Sequence, residues 1–348
     1  MKKYKVGICG NFDTENIITN GQTVKTINLA EMIEEKIGIE NVCRLNTYEF
    51  YSNHIKFVFS YLRLIKECEN VVILPARNSV KLLAPLGAAF KKKYNCKIYY
   101  AVVGAWLGTF LRGKKVLLKS IKKLDGVFPE TKTLKQDLEN LGITKVKLFP
   151  NFKRIKILEK EKLEYIREKP FKICFFARVM EEKGVEGLIS ALKNVNADGI
   201  KYYLDIYGSV DKGYRKRFDY ISKDFPEYIK YCGVVDSNKT VETLKSYFML
   251  AFPTKLFYIE GLPGSLIDSY CAGVPVLAAR WKSCYDVVEE NVTGITFELG
   301  NFSELEEKLN MIAQQPGIFN DMKIGCLKKA EEYNAHNVIK ILLESMGE

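Results

Sequence analysis

The chain has 348 residues, more than one ordinary core holds, which points to two domains. Hydrophobic residues make up 47% and charged residues 27%, a balance that excludes disordered and collagen-like classes. Of the net charge of +11, all lies in the first half: residues 1–150 carry 25 Lys and Arg against 13 Asp and Glu, the remainder 28 against 29. That asymmetry points to an anionic partner for the first half: acidic lipid, nucleic acid or a phosphorylated substrate.

Along the chain, residues 5–9 predict a first strand and 21–37 an amphipathic helix. Buried strands are expected at 71–74 and 97–102, and the last strands of the first half at 128–129 and 146–149. Residues 151–169 turn polar and charged and read as an interdomain connection. A second series follows, with strands at 171–177, 201–207, near 231–234, at 250–252 and at 274–278, and helices from 303 onward. The alternation of strand and helix predicts two open α/β domains with parallel sheets facing a central cleft, with ligands beyond the carboxyl ends of the strands. The expected domains are 1–155 and 170–325, with 326–348 as a helix packing back on the first.

No apolar run approaches the ~18–20 residues of a membrane-spanning helix. The opening MKKYKVGICGNF reads as a strand and not as a secretory leader, so a cytosolic location is expected. Nine cysteines stand singly with no C-x-x-C pair, and two histidines, His54 and His336, give no zinc-ligand spacing. The thiols are expected to be reduced and mostly buried, and His54 to be structural.

Two groups of residues carry chemistry. Arg178, just past the 171–177 strand, is followed by Lys183-Gly184 at the start of a helix. Two cations beside a helix N-terminus suit a diphosphate, although solvated charges flanked by Glu181 and Glu182 give the same pattern. The second group is Phe252-Pro253-Thr254, then Glu260-Gly261-Leu262-Pro263-Gly264-Ser265, then a helix holding Asp268. Here a carboxylate can accept sugar hydroxyls, glycines permit close backbone approach, and a helix start can donate to phosphate. Asp268 is placed to reach a ribose diol, and Gly273 with Pro275 ends the helix.

Together, Arg178-x4-Lys183-Gly184, Gly208 after YLDIY, and EGLPGSLIDSYCAGVPVLA resemble family 4 of the retaining glycosyltransferases. The stretch Asn20 to Thr26 (NGQTVKT) is similar to the donor-side loop and first helix of bacterial surface-polysaccharide members. The resemblance implies a GT-B fold of two Rossmann-like domains, a nucleotide-sugar donor (UDP first among the candidates) and no cofactor or catalytic metal. By position it assigns the diphosphate to Arg178 and Lys183, the transferred sugar to Glu260, and backbone contacts to Leu262, Pro263, Gly264 and Ser265. Gly21 and Gln22 would close on the diphosphate, with Gly208 and Asp268 completing the donor site. Two departures stand out: Asp268 replaces the family's usual glutamate, and Val103-Gly104-Ala105-Trp106-Leu107 stands where a histidine is frequent. A front-face retaining mechanism tolerates the second, because the departing diphosphate oxygen itself takes the acceptor proton. No D-x-D pair occurs, consistent with cationic side chains in place of an ion.

In residues 111–124 (LRGKKVLLKSIKKL), Leu117, Leu118, Ile121 and Leu124 alternate with six cations, as in an interfacial helix. An ordinary surface helix with its apolar side in the core fits the same pattern. With Lys91-Lys92-Lys93 and residues 57–64, it is read as docking on anionic lipid at the inner face of the membrane, which suits a lipid-pyrophosphate-linked glycan acceptor. A nucleic-acid-binding protein also explains the charge, yet no helix-turn-helix, zinc or stacking-platform signature is present. A sugar-nucleotide 2-epimerase shares the two-domain fold and requires acid/base side chains in its cleft.

Overall fold

A computed structural model describes residues 2–12, 21–48, 53–154 and 156–348. The chain forms two compact units. Unit 1 consists of Met1–Arg154, Gly261–Pro263 and Tyr333–Glu348, and unit 2 of Ile155–Glu260 and Gly264–Glu332.

Unit 1 holds strands β1 (Tyr4–Gly10), β2 (Val42–Asn46), β3 (Cys68–Ile73), β4 (Lys97–Ala101) and β5 (Gly126–Phe128), in the order β2-β1-β3-β4-β5. Every pair is parallel. Continuous apolar runs such as Val6–Cys9 are what a sheet covered on both faces demands. One face packs against α2 (His54–Glu67), α3 (Val80–Phe90), α5 (Lys115–Ile121) and α6 (Lys132–Asn140), through Phe57, Tyr61, Leu83, Leu117, Ile121 and Leu138. A short α4 (Leu107–Leu111) precedes α5. The other face packs against α1 (Gly21–Ile37) and α14 (Ala335–Met346), through Leu29, Ile33, Val338, Ile339 and Leu342.

Two expectations are corrected in this unit. Residues 146–149 form no strand and pair with the β5 backbone through a single bridge, Val127 to Val146. Pro129 follows β5 and has no N–H, so it accepts from Phe149 N (2.8 Å) but cannot extend the ladder. The 111–124 segment is no continuous helix, because Gly113 (φ 76°) breaks it between α4 and α5. Leu117, Ile121 and Leu124 are core residues with Leu118 packed against them, so the apolar stripe is spent inside the unit and not on a lipid surface.

Unit 2 holds β6 (Phe171–Phe176), β7 (Tyr202–Tyr207), β8 (Ile229–Gly233), β9 (Met249–Phe252), β10 (Val276–Ala279) and β11 (Gly294–Phe297). Their order is β11-β10-β9-β6-β7-β8, again all parallel. In order along the chain this is a 3-2-1-4-5-6 sheet, whose strand order reverses between β6 and β9. α7 (Val185–Val195) and α12 (Phe302–Gln314) bury Val185, Leu188, Leu192, Leu305 and Leu309 against one face. Beyond the expected strands the unit gains β11, and unit 1 gains β2, both short and at sheet edges. The remaining helices are α8 (Arg215–Ile221), α9 (Thr240–Leu244), α10 (Gly264–Cys271), α11 (Cys284–Val287) and α13 (Gly317–Glu331).

Candidate functional site

The reversal point between β6 and β9 is where an open α/β sheet leaves a crevice at its carboxyl edge. Both residue groups singled out in the second half start there. After β6 the chain makes one 3-10 turn, Glu181–Lys183, and enters α7 through Gly184. Gly184 has φ 76°, and a Cβ on it would stand 2.0 Å from the carbonyl oxygen of Pro253, just past β9. Only glycine allows this approach. The backbone N–H of Lys255 donates to the Glu182 carbonyl at 2.7 Å and fastens the two segments together.

That contact brings Lys183 and Glu260 together. The Lys183 ammonium donates to Glu260 Oε1 and lies 5.2 Å from the centre of the Phe252 ring. Thr254, fully buried, donates its hydroxyl to the same oxygen at 3.1 Å. Both bonds therefore fall on one carboxylate oxygen. The side chains of Lys183 and Glu260 remain 16% and 10% exposed, low enough to strengthen the pair and open enough to meet a ligand.

Arg178 leaves the same strand end but pairs with Asp211, at 3.8 Å. The backbone beneath it is set by Gly208 (φ 132°), where a Cβ would stand 1.9 Å from the Ala177 carbonyl oxygen. Tyr231 secures Gly208 by donating its hydroxyl to the Gly208 carbonyl at 2.9 Å. Gly264 and Ser265 open α10, whose first-turn N–H groups have no intrahelical acceptors. Asp268, in the same helix, is 1% exposed and as folded offers almost no surface to a ribose. Leu262 and Pro263 are part of unit 1, where Asn151 donates to the Leu262 carbonyl at 3.2 Å. Pro263 has no N–H, so among these four residues the amide donors are Leu262, Gly264 and Ser265.

In unit 1, Gly21 is exposed at the start of α1 with open space beside it, and Gln22 donates to the Leu74 carbonyl at 2.7 Å. Asn20 lies outside the described residues. Trp106 is buried, its indole N–H on the Val103 carbonyl at 2.8 Å. Sequence reasoning passed over one buried ion pair, Lys25 with Glu130, at 2.6 Å. Two signals for it exist in the sequence: a lysine on the buried stripe of an amphipathic helix, and an acid just beyond a strand end. Burial pulls the Lys25 pKa below its ordinary value, against the opposing pull of Glu130.

Two Rossmann-like domains, each built on a parallel sheet, define the class: this is a GT-B fold. The solved structure of Anabaena Alr3699/HepE in complex with UDP and glucose matches it with a TM-score of 0.75 at 14% identity, over 99% of each chain. Within that class, residues 156–325 match the family Glycosyl transferases group 1. The uncharacterized glycosyltransferase MJ1069 of Methanocaldococcus jannaschii is 27% identical over 237 residues, 63% of this chain and 55% of that protein. The capsular polysaccharide biosynthesis glycosyltransferase CapM of Staphylococcus aureus is 23% identical over 188 residues, 53% and 48% of the two. The chain spans about half the length of these curated relatives. The fold that the motifs implied is thus shown, and the family match covers residues 156–325.

Proposed function

We propose that the chain is a retaining glycosyltransferase that moves a hexose or N-acetylhexosamine from a UDP-sugar to a lipid-linked or oligosaccharide acceptor in surface-polysaccharide assembly. The observation that carries this reading is the Lys183–Glu260 pair at the reversal point of the unit 2 sheet. The acid grips the transferred sugar, and the cation held against it lies where the donor phosphate must follow. As the glycosidic bond breaks, negative charge grows on the diphosphate, and Lys183 with Arg178 stabilises it more in the transition state than in the ground state. The leaving oxygen takes the acceptor's proton, so no separate base is needed. The N–H groups that open α10 supply further donors to sugar or phosphate. Gly21 and Gln22 are proposed as further contacts to the diphosphate. The UDP bound in the HepE structure supports the choice of base, and the likeness to CapM supports the surface-polysaccharide role.

The acceptor is proposed to be presented at an anionic membrane. Ile55 (72% exposed) and Phe59 (68%) stand out on α2, among Lys56, Arg63 and Lys66. Exposed apolar side chains and cations on one helix suit an acidic headgroup layer.

A thermal-shift panel of UDP-, GDP-, ADP- and dTDP-sugars tests the donor. A ligand at 100 times its Kd stabilises the folded state by about 2.7 kcal/mol. UDP-sugars should raise the melting temperature of the wild type and not of Lys183→Ala. A flat response to every sugar nucleotide would refute the reading.

A further inference from the structure

Glu130 and Lys25 are charged side chains with almost no solvent contact, 3% and 0% exposed. Buried ion pairs gain little stability over apolar residues of the same size. What distinguishes this one is its neighbours at the carboxyl edge of the unit 1 sheet. Glu130 stands two residues past β5 and divides its oxygens between two tasks. Oε1 takes the Lys25 ammonium at 2.6 Å, and Oε2 accepts the backbone N–H of Gly104 at 2.9 Å. Lys25 in turn donates to the Val102 carbonyl at 3.2 Å and lies 5.4 Å from the Phe149 ring centre.

The pair thereby clamps the turn that leaves β4 from both sides, with Gly104 held at φ 77°. The third neighbour is Gly261: a Cβ there would meet Glu130 Oε2 at 2.6 Å and the Gly104 Cα at 2.9 Å. The carboxylate and the Gly104 turn form the bed on which Gly261 is seated, and Gly261 is the residue that follows Glu260 in the chain.

We propose that Lys25 and Glu130 are positioning residues: their ion pair fixes the Gly104 turn and the seat of Gly261, and through them the geometry at which sugar is transferred. The inference rests on the transferase reading above. A misplacement of about 1 Å costs on the order of 10²-fold in rate, with no contact to substrate lost.

The test compares wild type, Glu130→Gln and the apolar pair Lys25→Met/Glu130→Leu. Turnover is read as UDP release from UDP-glucose and from UDP-N-acetylglucosamine, and backbone amide exchange is read on the unliganded protein by mass spectrometry. An interaction that matters in the transition state lowers kcat and leaves KM for the donor within about threefold. We expect kcat to fall at least about tenfold in both variants, with faster exchange in peptides covering 102–107 and 259–265. A merely structural role predicts that the apolar pair, once folded, keeps wild-type kcat and wild-type exchange there, and that result would overturn the proposal. If the apolar pair does not fold, Glu130→Gln, which keeps the volume, decides by the same two measurements. If the wild type turns over neither donor, the transferase reading fails on its own account. Amide exchange then still decides whether the pair holds the turn.

Discussion

Glu260 Oε1 accepts from both Lys183 and Thr254, so removing the lysine does two things at once. On the proposed reading it takes a cation from the diphosphate, and it leaves a carboxylate whose side chain is only 10% exposed without its counter-charge. Arg178→Ala has only the first effect, since its partner Asp211 is a third exposed and readily solvated. Each substitution is expected to lower turnover on the order of 10²-fold, as the loss of one preorganised transition-state donor does. Lys183→Ala should in addition lower the melting temperature, whereas Arg178→Ala should leave it near wild type. Steady-state kinetics and melting curves on both variants check this, and wild-type rates in both would refute the site.

The same residues mark how much of the site could be read before the fold was known. Residue type and spacing mark Lys183 and Glu260 as candidates, and the structure pairs them. Gly184 reads in the sequence only as opening the helix, and its close approach to Pro253 comes from the fold. Asp211 and the buried seat of Asp268 were not legible. Who pairs with Arg178 depends on β7 lying beside β6, and burial of Asp268 depends on what covers α10. Lys25 and Glu130 escaped for a related reason: 105 residues separate them, and neither the lysine on the buried stripe nor the acid past the strand end names its partner.

Among the elements, α13 carries a charge in an unusual place. Lys323 is fully buried, with its ammonium 3.5 Å from the Tyr247 carbonyl and with Cys326 and Glu164 as its charged or titratable neighbours. Burial lowers its pKa to about 8 from 10.5. Below pH 8 the folded protein bears the full cost of a buried cation, about 3 kcal/mol at about 1.4 kcal/mol per pKa unit. Between pH 8 and 10.5 the unfolded chain holds the proton and the folded one does not, so this destabilisation fades as pH rises. Lys323→Met should therefore be more stable than wild type at pH 7, and the gap should narrow by pH 10. Denaturant melts of the two proteins at both pH values measure it. A gap that stays constant would show that Lys323 does not titrate in this range.

Strand and helix alternation was largely legible at this scale because parallel strands covered on both faces read as apolar runs. The failures have local causes. β2 (VCRLN) lies at an edge and mixes polar with apolar residues, and β11 has only four residues. Residues 146–149 look like a strand, but Pro129 denies them a partner donor. In 111–124, period alone could not say whether leucines face lipid or core, and Gly113 with the packing of α5 settles it for the core.

For the molecule as a whole, the excess of positive charge in residues 1–150 outlasts that correction, because it belongs to exposed lysines and not to the buried leucines. Attraction to an acidic surface then depends on charge density, helped by Ile55 and Phe59 on α2. Liposomes containing anionic lipid should retain the protein at low salt and release it near 1 M, where the screening length falls to about 3 Å. Ile55→Asp/Phe59→Asp should weaken retention at low salt without moving the melting temperature, since both side chains are already in water. Equal sedimentation with neutral liposomes would count against docking by charge.

One face of the unit 1 sheet is completed by α14, which the ribosome delivers roughly 180 residues after Arg154. At about 5–20 residues per second, Val6, Ile8, Leu29 and Ile33 wait about 10–40 s for their cover. The nascent chain therefore exposes a greasy surface until α14 emerges, and a fragment ending at residue 154 would keep that surface for good. Holdase chaperones should find this half of the molecule a willing client until α14 has emerged.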